Sequence, residues 1–265
     1  MKVAIIGCAG RMGRSVIEEV MKRKDLELTG GLVRSDSNFE DFDLGEIAGK
    51  YSVGVKSSDT ISGACSGADV IIDFSAPETC LRAAKFAADN GLYFISGTTG
   101  LDESQMRELK ICAEKTPIVW ASNMSIGVNL LNALSRKAAA VLDQTYDVEI
   151  LEMHHRYKKD APSGTALTLG ENIADVRKIN FNKNAVKARD GIVGERNKDE
   201  IGFAVMRGGN VIGDHSAIFA GDSDVIKISH HAQDRSIFAK GAVVAAIWSK
   251  NRKPGFYKMD DVLEI

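Results

Sequence analysis

"KVAIIGCAGRMGRSVIEEVMKR", Lys2 to Arg23, is the stretch on which the reading of the fold turns. It opens with an unbroken apolar run, Val3 to Ile6, which reads as a short strand buried on both faces. From Arg11 onward the apolar residues recur at helical spacing. Between the two, Gly7, Gly10 and Gly13 stand at G-x-x-G-x-x-G spacing. Glycine there allows a tight turn and lets the backbone approach a pyrophosphate, which then rests on a helix N-terminus. Taken alone the pattern is a glycine-rich turn. A strand before it and a helix after it are the context a dinucleotide loop requires. Gly7, Cys8, Ala9, Gly10, Arg11, Met12 and Gly13 are therefore expected to bind a dinucleotide.

The same alternation continues outward. "LELTGGLV", "ADVIIDFS", "LYFISG" and "PIVWAS" read as strands, and "PETCLRAAKFAADNG" and "ESQMRELKICAEKT" as helices between them. Continuous Val/Ile runs separated by helices predict a Rossmann-type, doubly wound parallel sheet up to about Ser122. After Ser125 the grammar changes. A helix, "GVNLLNALSRKAAAVL", leads into the strand-like "YDVEILEMHH", and a second helix is expected from about Thr165 to Val176. Three strand-like segments then follow in succession, "IGFAVMRG", "HSAIFA" and "VIKISHHA", which predicts an α+β domain with a mixed or antiparallel sheet. The division expected is 1–124 for the dinucleotide domain and 125–235 for a substrate domain. The terminal segment, 236–265, is expected to pack back on the first.

Bulk composition excludes several classes. With 34 Lys plus Arg against 36 Asp plus Glu, the formal net charge is −2, so no overall basic field draws in nucleic acid or an anionic membrane. No apolar run approaches the ~20 residues that span a bilayer, and the short apolar start before Gly7 does not read as a signal peptide. Cys8, Cys65, Cys80 and Cys112 are widely spaced, as reduced core cysteines of a cytoplasmic protein would be.

Chemistry concentrates in "EMHHRYKKDAPSGTA", Glu152 to Ala166. His154 and Lys158, four residues apart, can share a face, and Ser163, Gly164 and Thr165 mark a helix start whose N–H groups favour an anion. Cations beside a helix N-terminus make a pocket for a small carboxylate. Neighbouring cations are also expected to lower the lysine's pKa, making it a better proton donor near neutral pH. The plainer alternative is a solvated basic loop with an ordinary cap. "SGTTG" and "ASNMS" end two strands on the side where open sheets collect ligands, placing Gly97, Thr98, Thr99 and Asn123 toward a nicotinamide. Arg235 is a candidate carboxylate clamp. His215, His230 and His231 complete the five histidines, but none of them has metal-ligand spacing, so no metal is expected.

"GCAGRMGR", "DFSAPE", "SGTTG", "ASNMSIGVNL", "EMHHRYKKDAPSGTA", "RGGNVIGDHSAIFA" and "RSIFAKGAVVAA" together resemble the dihydrodipicolinate (4-hydroxy-tetrahydrodipicolinate) reductases of lysine biosynthesis, nearly end to end. The resemblance implies a nicotinamide-dependent reduction of a cyclic unsaturated dicarboxylate made from pyruvate and aspartate semialdehyde. It implies His154 and Lys158 as catalytic residues, and His155, Gly164 and Thr165 as substrate contacts. Cofactor contacts fall on Gly7 to Gly13, Gly97 to Thr99, and Ala121, Ser122, Asn123 and Met124. It also implies a homotetramer assembled through the second domain. One departure bears on the cofactor. Where the family pattern often has an acid at the end of the second strand, this chain has Val33, followed by Arg34. A carboxylate there would bind the adenine ribose and repel a 2′-phosphate, so NADPH is expected to be preferred over NADH, with Asp36 as the counterargument. The rivals are another two-domain amino-acid dehydrogenase of the homoserine type, a thioester-forming aldehyde dehydrogenase, and a dinucleotide-sensing regulator without catalysis.

Overall fold

The computed structural model describes residues 1–265 and divides into two compact units, 1–126 with 236–265, and 127–235. The first unit begins with β1 (Lys2–Ile6), α1 (Arg11–Met21) and β2 (Glu27–Leu32). A small excursion follows, α2 (Leu44–Ile47), β3 (Ser57–Ser58) and α3 (Ile61–Ala64). Then come β4 (Val70–Asp73), α4 (Pro77–Asn90), β5 (Tyr93–Ser96), α5 (Glu103–Cys112) and β6 (Pro117–Trp120). Val3 to Ile6 and Val70 to Asp73 are fully buried, which is why these strands read as continuous apolar runs.

The second unit holds α6 (Ile126–Val141), β7 (Asp147–His154), α7 (Gly164–Arg177), α8 (Phe181–Asn184), β8 (Ala185–Val186), β9 (Ile201–Arg207), β10 (Gly213–Ala220) and β11 (Val225–Ala232). The chain closes with α9 (Ser236–Ser249), β12 (Gly255–Tyr257) and α10 (Met259–Leu263). Here α9 packs on α1 and β5, and β12 adds a parallel strand beside β6.

The first sheet is parallel throughout, in the order β12-β6-β5-β4-β1-β2-β3. Strand order reverses between β1 and β4, the place where open α/β sheets bind ligands. One core, including Ile5, Val16, Ile17, Ile72 and Ala242, lies on one side of this sheet, and a second, including Ile6, Ile71, Ala84 and Phe94, on the other.

The second sheet runs β11-β10-β7-β9-β8 and is mixed: β7, β9 and β8 are parallel, and β10 is antiparallel to both of its neighbours. In β7 burial alternates strictly. Val148, Ile150, Glu152 and His154 face inward on the side of α7, with Leu169, Ile173 and Phe203 in the same core. The opposite face carries Leu151, Met153, Ala204, Met206 and Ile218, all half-buried or exposed. No helix of the chain is long and apolar enough to cross a membrane.

Candidate active site

In the first unit the glycine loop does what its spacing demands. Gly7 has φ +78°, and a Cβ there would meet the Phe74 carbonyl oxygen at 2.7 Å. A Cβ on Gly13 would lie 2.2 Å from the Gly7 carbonyl oxygen, so only glycine lets α1 approach the β1 turn. Gly10 is the N-cap of α1, and no side chain caps that helix end. Cys8 is buried under the loop, with burial pushing its thiol up to about 12, so it is no nucleophile. Arg11 is exposed, and Met12 is half-buried against the core.

The loop opens onto a cleft of about 1450 Å³ lined by Gly7, Ala9, Gly10, Arg34, Ser35, Asp36, Phe74 and, from α4, Thr79 and Arg82. The two α4 residues have no marker in the sequence. Arg34 is 87% exposed in its side chain, and its Nε lies 3.5 Å from the Asp36 carboxylate. Asp36 thus folds back, as its short spacing permits, but onto Arg34. Val33 is buried and packs into the core.

The strand ends beside this cleft are tied together by a residue the sequence reading passed over. Asp73, at the end of β4, is fully buried. It accepts from Ser75 Oγ at 2.5 Å, Ser96 Oγ at 2.7 Å and Thr98 Oγ1 at 2.8 Å. Burial raises its pKa, and these hydrogen bonds oppose that shift. Thr98 is consequently buried and structural, with its carbonyl accepting from Trp120 Nε1 at 3.0 Å, while Thr99 is exposed. In the next segment Asn123 Oδ1 accepts from the Ser125 N–H at 2.9 Å, Ala121 and Ser122 retain exposure, and Met124 is buried. An acid closing a buried apolar strand, as in "ADVIIDFS", is the signal that could have marked Asp73.

In the second unit, His154 ends β7 with its ring buried. Its Nδ1 lies 2.5 Å from Glu152 Oε2, two residues back on the same strand face. Glu152 is 1% exposed and receives three more hydrogen bonds: Arg207 NH1 at 2.8 Å, Arg207 NH2 at 3.1 Å and the Ser163 N–H at 2.9 Å. Burial pushes the Glu152 carboxyl up, but bonds from Arg207, His154 and Ser163 outweigh it and hold it below the usual range. Burial pushes His154 down, and Glu152 opposes that without overcoming it. The pair is therefore a carboxylate and a neutral imidazole. With Nδ1 facing a carboxylate, the ring proton sits on Nδ1 and Nε2 is left as an acceptor.

Ser163 caps α7, its Oγ accepting from the Ala166 N–H at 3.2 Å. That leaves the hydroxyl proton for His215 Nε2, 3.0 Å away. His215 is buried, its ring edge-on to His154 at 5.0 Å. Burial takes its pKa down to about 4, and a proton on neighbouring His154 would push it the same way.

Lys158 sits on the turn after β7. Its Nζ is 2.9 Å from both oxygens of Asp160. This corrects the electrostatic expectation: the nearest charge to Lys158 is an anion, and the cations crowded in sequence around it do not supply its contact. His155 turns away to stand beside Tyr157, ring centroids 6.3 Å apart. Gly164 is exposed and Thr165 half-buried at the start of α7. Arg235 is exposed beyond β11, with no hydrogen bond or ion pair to the His154 group. The arginine bonded to that group is Arg207. Glu152, Arg207 and His215 were all missed in sequence. Period-two spacing along β7 pairs Glu152 with His154, but Arg207 and His215 arrive only through strand pairing. No group of three His, Cys, Asp or Glu side chains is arranged to hold a metal ion.

The family model for the dihydrodipicolinate reductase N-terminus matches residues 1–124, and that for the C-terminus matches 127–263. A 4-hydroxy-tetrahydrodipicolinate reductase of Bartonella bacilliformis is 47% identical over 266 residues, covering 100% of this chain and 99% of the relative. One from Colwellia psychrerythraea is 44% identical over 263 residues, covering 99% and 98%. A solved dipicolinate-bound dihydrodipicolinate reductase from Paenisporosarcina sp. TG-14 superposes with a TM-score of 0.79 at 26% identity, covering 97% of each chain. Two adjoining family matches across almost the whole sequence, on the expected fold, leave one conclusion: the chain belongs to the dihydrodipicolinate reductase family.

Proposed function

We infer that the chain reduces 4-hydroxy-tetrahydrodipicolinate to tetrahydrodipicolinate, in the diaminopimelate route to lysine. The full-length family match carries this reading. The chemistry on both units supports it, for a regulator without catalysis would have no use for a buried acid–histidine pair beside a lysine. An aldehyde dehydrogenase working through a thioester is disfavoured, since Cys80 and Cys112 lie in helices and burial raises both thiols.

The first unit fits a nicotinamide dinucleotide: Gly7 and Gly13 form a cradle that a Cβ would fill, and the α1 N-terminus has no side-chain cap. When bound, the nicotinamide supplies a hydride. The remaining steps fall to this chain's own residues in the second unit. The N–H groups opening α7 at Gly164 and Thr165 receive one substrate carboxylate, and His155 lies within the same segment. Asp160 is largely exposed, so it swings aside and a substrate carboxylate replaces it at Lys158. The substrate's 4-hydroxyl first leaves as water, which opens the conjugated carbon–nitrogen system to the hydride. As negative charge then builds on the ring, Lys158 Nζ donates the proton that completes the reduction. His154, with an unprotonated Nε2, relays protons at that end of the site. Arg235 remains a second carboxylate clamp, recruited from solvent.

Arg34 favours NADPH. Its pair with Asp36 is an exposed contact of small energy, readily exchanged for a 2′-phosphate. One charge-assisted contact is worth about 1.5–3 kcal/mol, so kcat/KM should be roughly ten- to a hundredfold higher for NADPH than for NADH. Arg34→Ala should remove most of that ratio while hardly affecting NADH. Val33 is a core residue, so a charge placed there would disturb folding, and Arg34 is the cleaner site to alter. Equal kcat/KM with both cofactors in the unmodified protein would refute this assignment.

The working protein is a homotetramer in the cytoplasm. The apolar open face of the second sheet, with Leu151, Met153, Met206 and Ile218, is the surface on which copies associate. The free, mostly buried cysteines suit a reducing compartment.

A further inference from the structure

We propose that Glu152 and Arg207 are a positioning pair that sets the tautomer of His154 and anchors the segment carrying Lys158. Nothing in the family resemblance assigns either residue. The inference rests on His154 and Lys158 being the reacting pair, as proposed above.

Glu152 makes four hydrogen bonds inside the second unit, and each one constrains something the reaction uses. Oε2 faces His154 Nδ1 at 2.5 Å, so the neutral ring must carry its proton on Nδ1 and present a bare Nε2. Oε1 accepts from the Ser163 N–H at 2.9 Å, tying the start of α7 to the same carboxylate. A carboxylate so buried is tolerated only with an opposite charge beside it. Arg207 supplies that charge with both terminal nitrogens, at 2.8 and 3.1 Å.

Arg207 NH2 also donates to the Asp160 carbonyl at 2.7 Å, and the Asp160 side chain holds Lys158 Nζ. One buried ion pair thereby fixes the histidine ring, the helix start and the lysine turn relative to one another. The register of the sheet explains how. His154 lies opposite Arg207 on β9, and Glu152 opposite His215 on β10, so three strands deliver these groups to one face. The charged and titratable groups around His154 are Glu152 on β7, Lys158 on the turn, Arg207 on β9 and His215 on β10.

The direct test is nitrogen-15 NMR of the histidines in the full-length, unmodified protein near neutral pH. His154 should show a protonated Nδ1 and an unprotonated Nε2, and the opposite tautomer would overturn the proposal without reference to activity. Glu152→Gln then supplies the kinetic arm. Glutamine keeps the shape, but its amide can offer Nδ1 a donor and so drive the proton to Nε2. Its kcat should fall roughly ten- to a hundredfold, with cofactor affinity unchanged. Without the carboxylate the imidazolium loses its counter-charge, so the acid limb of the pH–rate profile should move to lower pH. Arg207→Lys, which keeps the charge but loses the fork, should lower kcat less than Arg207→Met.

If Glu152→Gln proves unstable, the tautomer in the unmodified protein and the Arg207→Lys and Arg207→Met comparison still decide the matter. Unchanged kcat and an unmoved pH profile in a folded Glu152→Gln would sink the proposal and leave the reductase reading intact. Absence of any reductase activity in the unmodified protein would instead remove the reading on which it rests.

Discussion

Alanine in place of Lys158 or His154 is expected to lower kcat by about 10²–10⁴-fold, the range for loss of a positioned proton donor or relay. The two should differ in kind. In the proposed mechanism Lys158 contributes a charge to substrate binding as well as a proton, so Lys158→Ala should also raise KM. His154 is buried and neutral, so His154→Ala should act mainly on kcat. Cofactor affinity should stay constant in both, because the glycine loop and its cleft belong to the other unit. Titrating each variant with NADPH and measuring steady-state rates checks all three statements. Normal turnover with weakened cofactor binding would show that the wrong residues have been placed at the reaction.

Acid should loosen the second unit well before carboxylates in general are protonated. His215 titrates at about 4 in the folded protein and near 6.5 when unfolded. Between those values the unfolded chain binds a proton that the folded one does not, so stability is lost as pH falls from about 6.5 toward 4. The full difference is about 3 kcal/mol, and at 4% exposure solvent does little to screen it. His154 and His230 are lowered by burial too and act in the same direction, with His154, Lys158 and His230 repelling a charge on His215 and Glu152 attracting it. Glu152, held below its ordinary value, adds stability that disappears at still lower pH, as the pH falls through its folded pKa. Amide exchange in β10, followed from pH 7 to 4.5, should show protection falling steeply. His215→Gln, which can still meet Ser163 Oγ, should flatten that dependence, and an equal slope in both proteins would contradict the assignment.

The parts of the fold legible in sequence are those where one local signal suffices. Val3 to Ile6 announce a doubly buried strand, and Gly7, Gly10 and Gly13 announce the turn because backbone contacts of 2–3 Å forbid any larger residue at two of them. The mixed second sheet followed from strands in succession. The excursion from α2 to α3 carries no signal that the sequence reading used, since its helices have four residues each and depend on caps, Asp43 and Thr60, rather than on apolar periodicity. β12 was missed because three residues pairing with β6 carry no pattern of their own.

The site divides in the same way. His154 and Lys158 stand four apart and invited attention, and period two on β7 could have added Glu152. Arg207 and His215 are 53 and 61 positions beyond His154 in number, and only sheet register brings them to it. Sequence proximity also misjudged charge: Lys158 has Lys159 and Arg156 near it along the chain, yet its ammonium rests on Asp160. Adjacency along a turn says little about which side chains meet.

The central claim is that this chain performs a nicotinamide-dependent reduction of one particular cyclic dicarboxylate. The most direct measurement follows nicotinamide absorbance after mixing the full-length protein and NADPH with the freshly formed condensation product of pyruvate and aspartate semialdehyde. The account predicts loss of the reduced-nicotinamide signal that requires both condensation partners and is abolished to within 10²–10⁴-fold by Lys158→Ala. No oxidation of either NADPH or NADH by the unmodified protein, with the substrate verified as present, would contradict it.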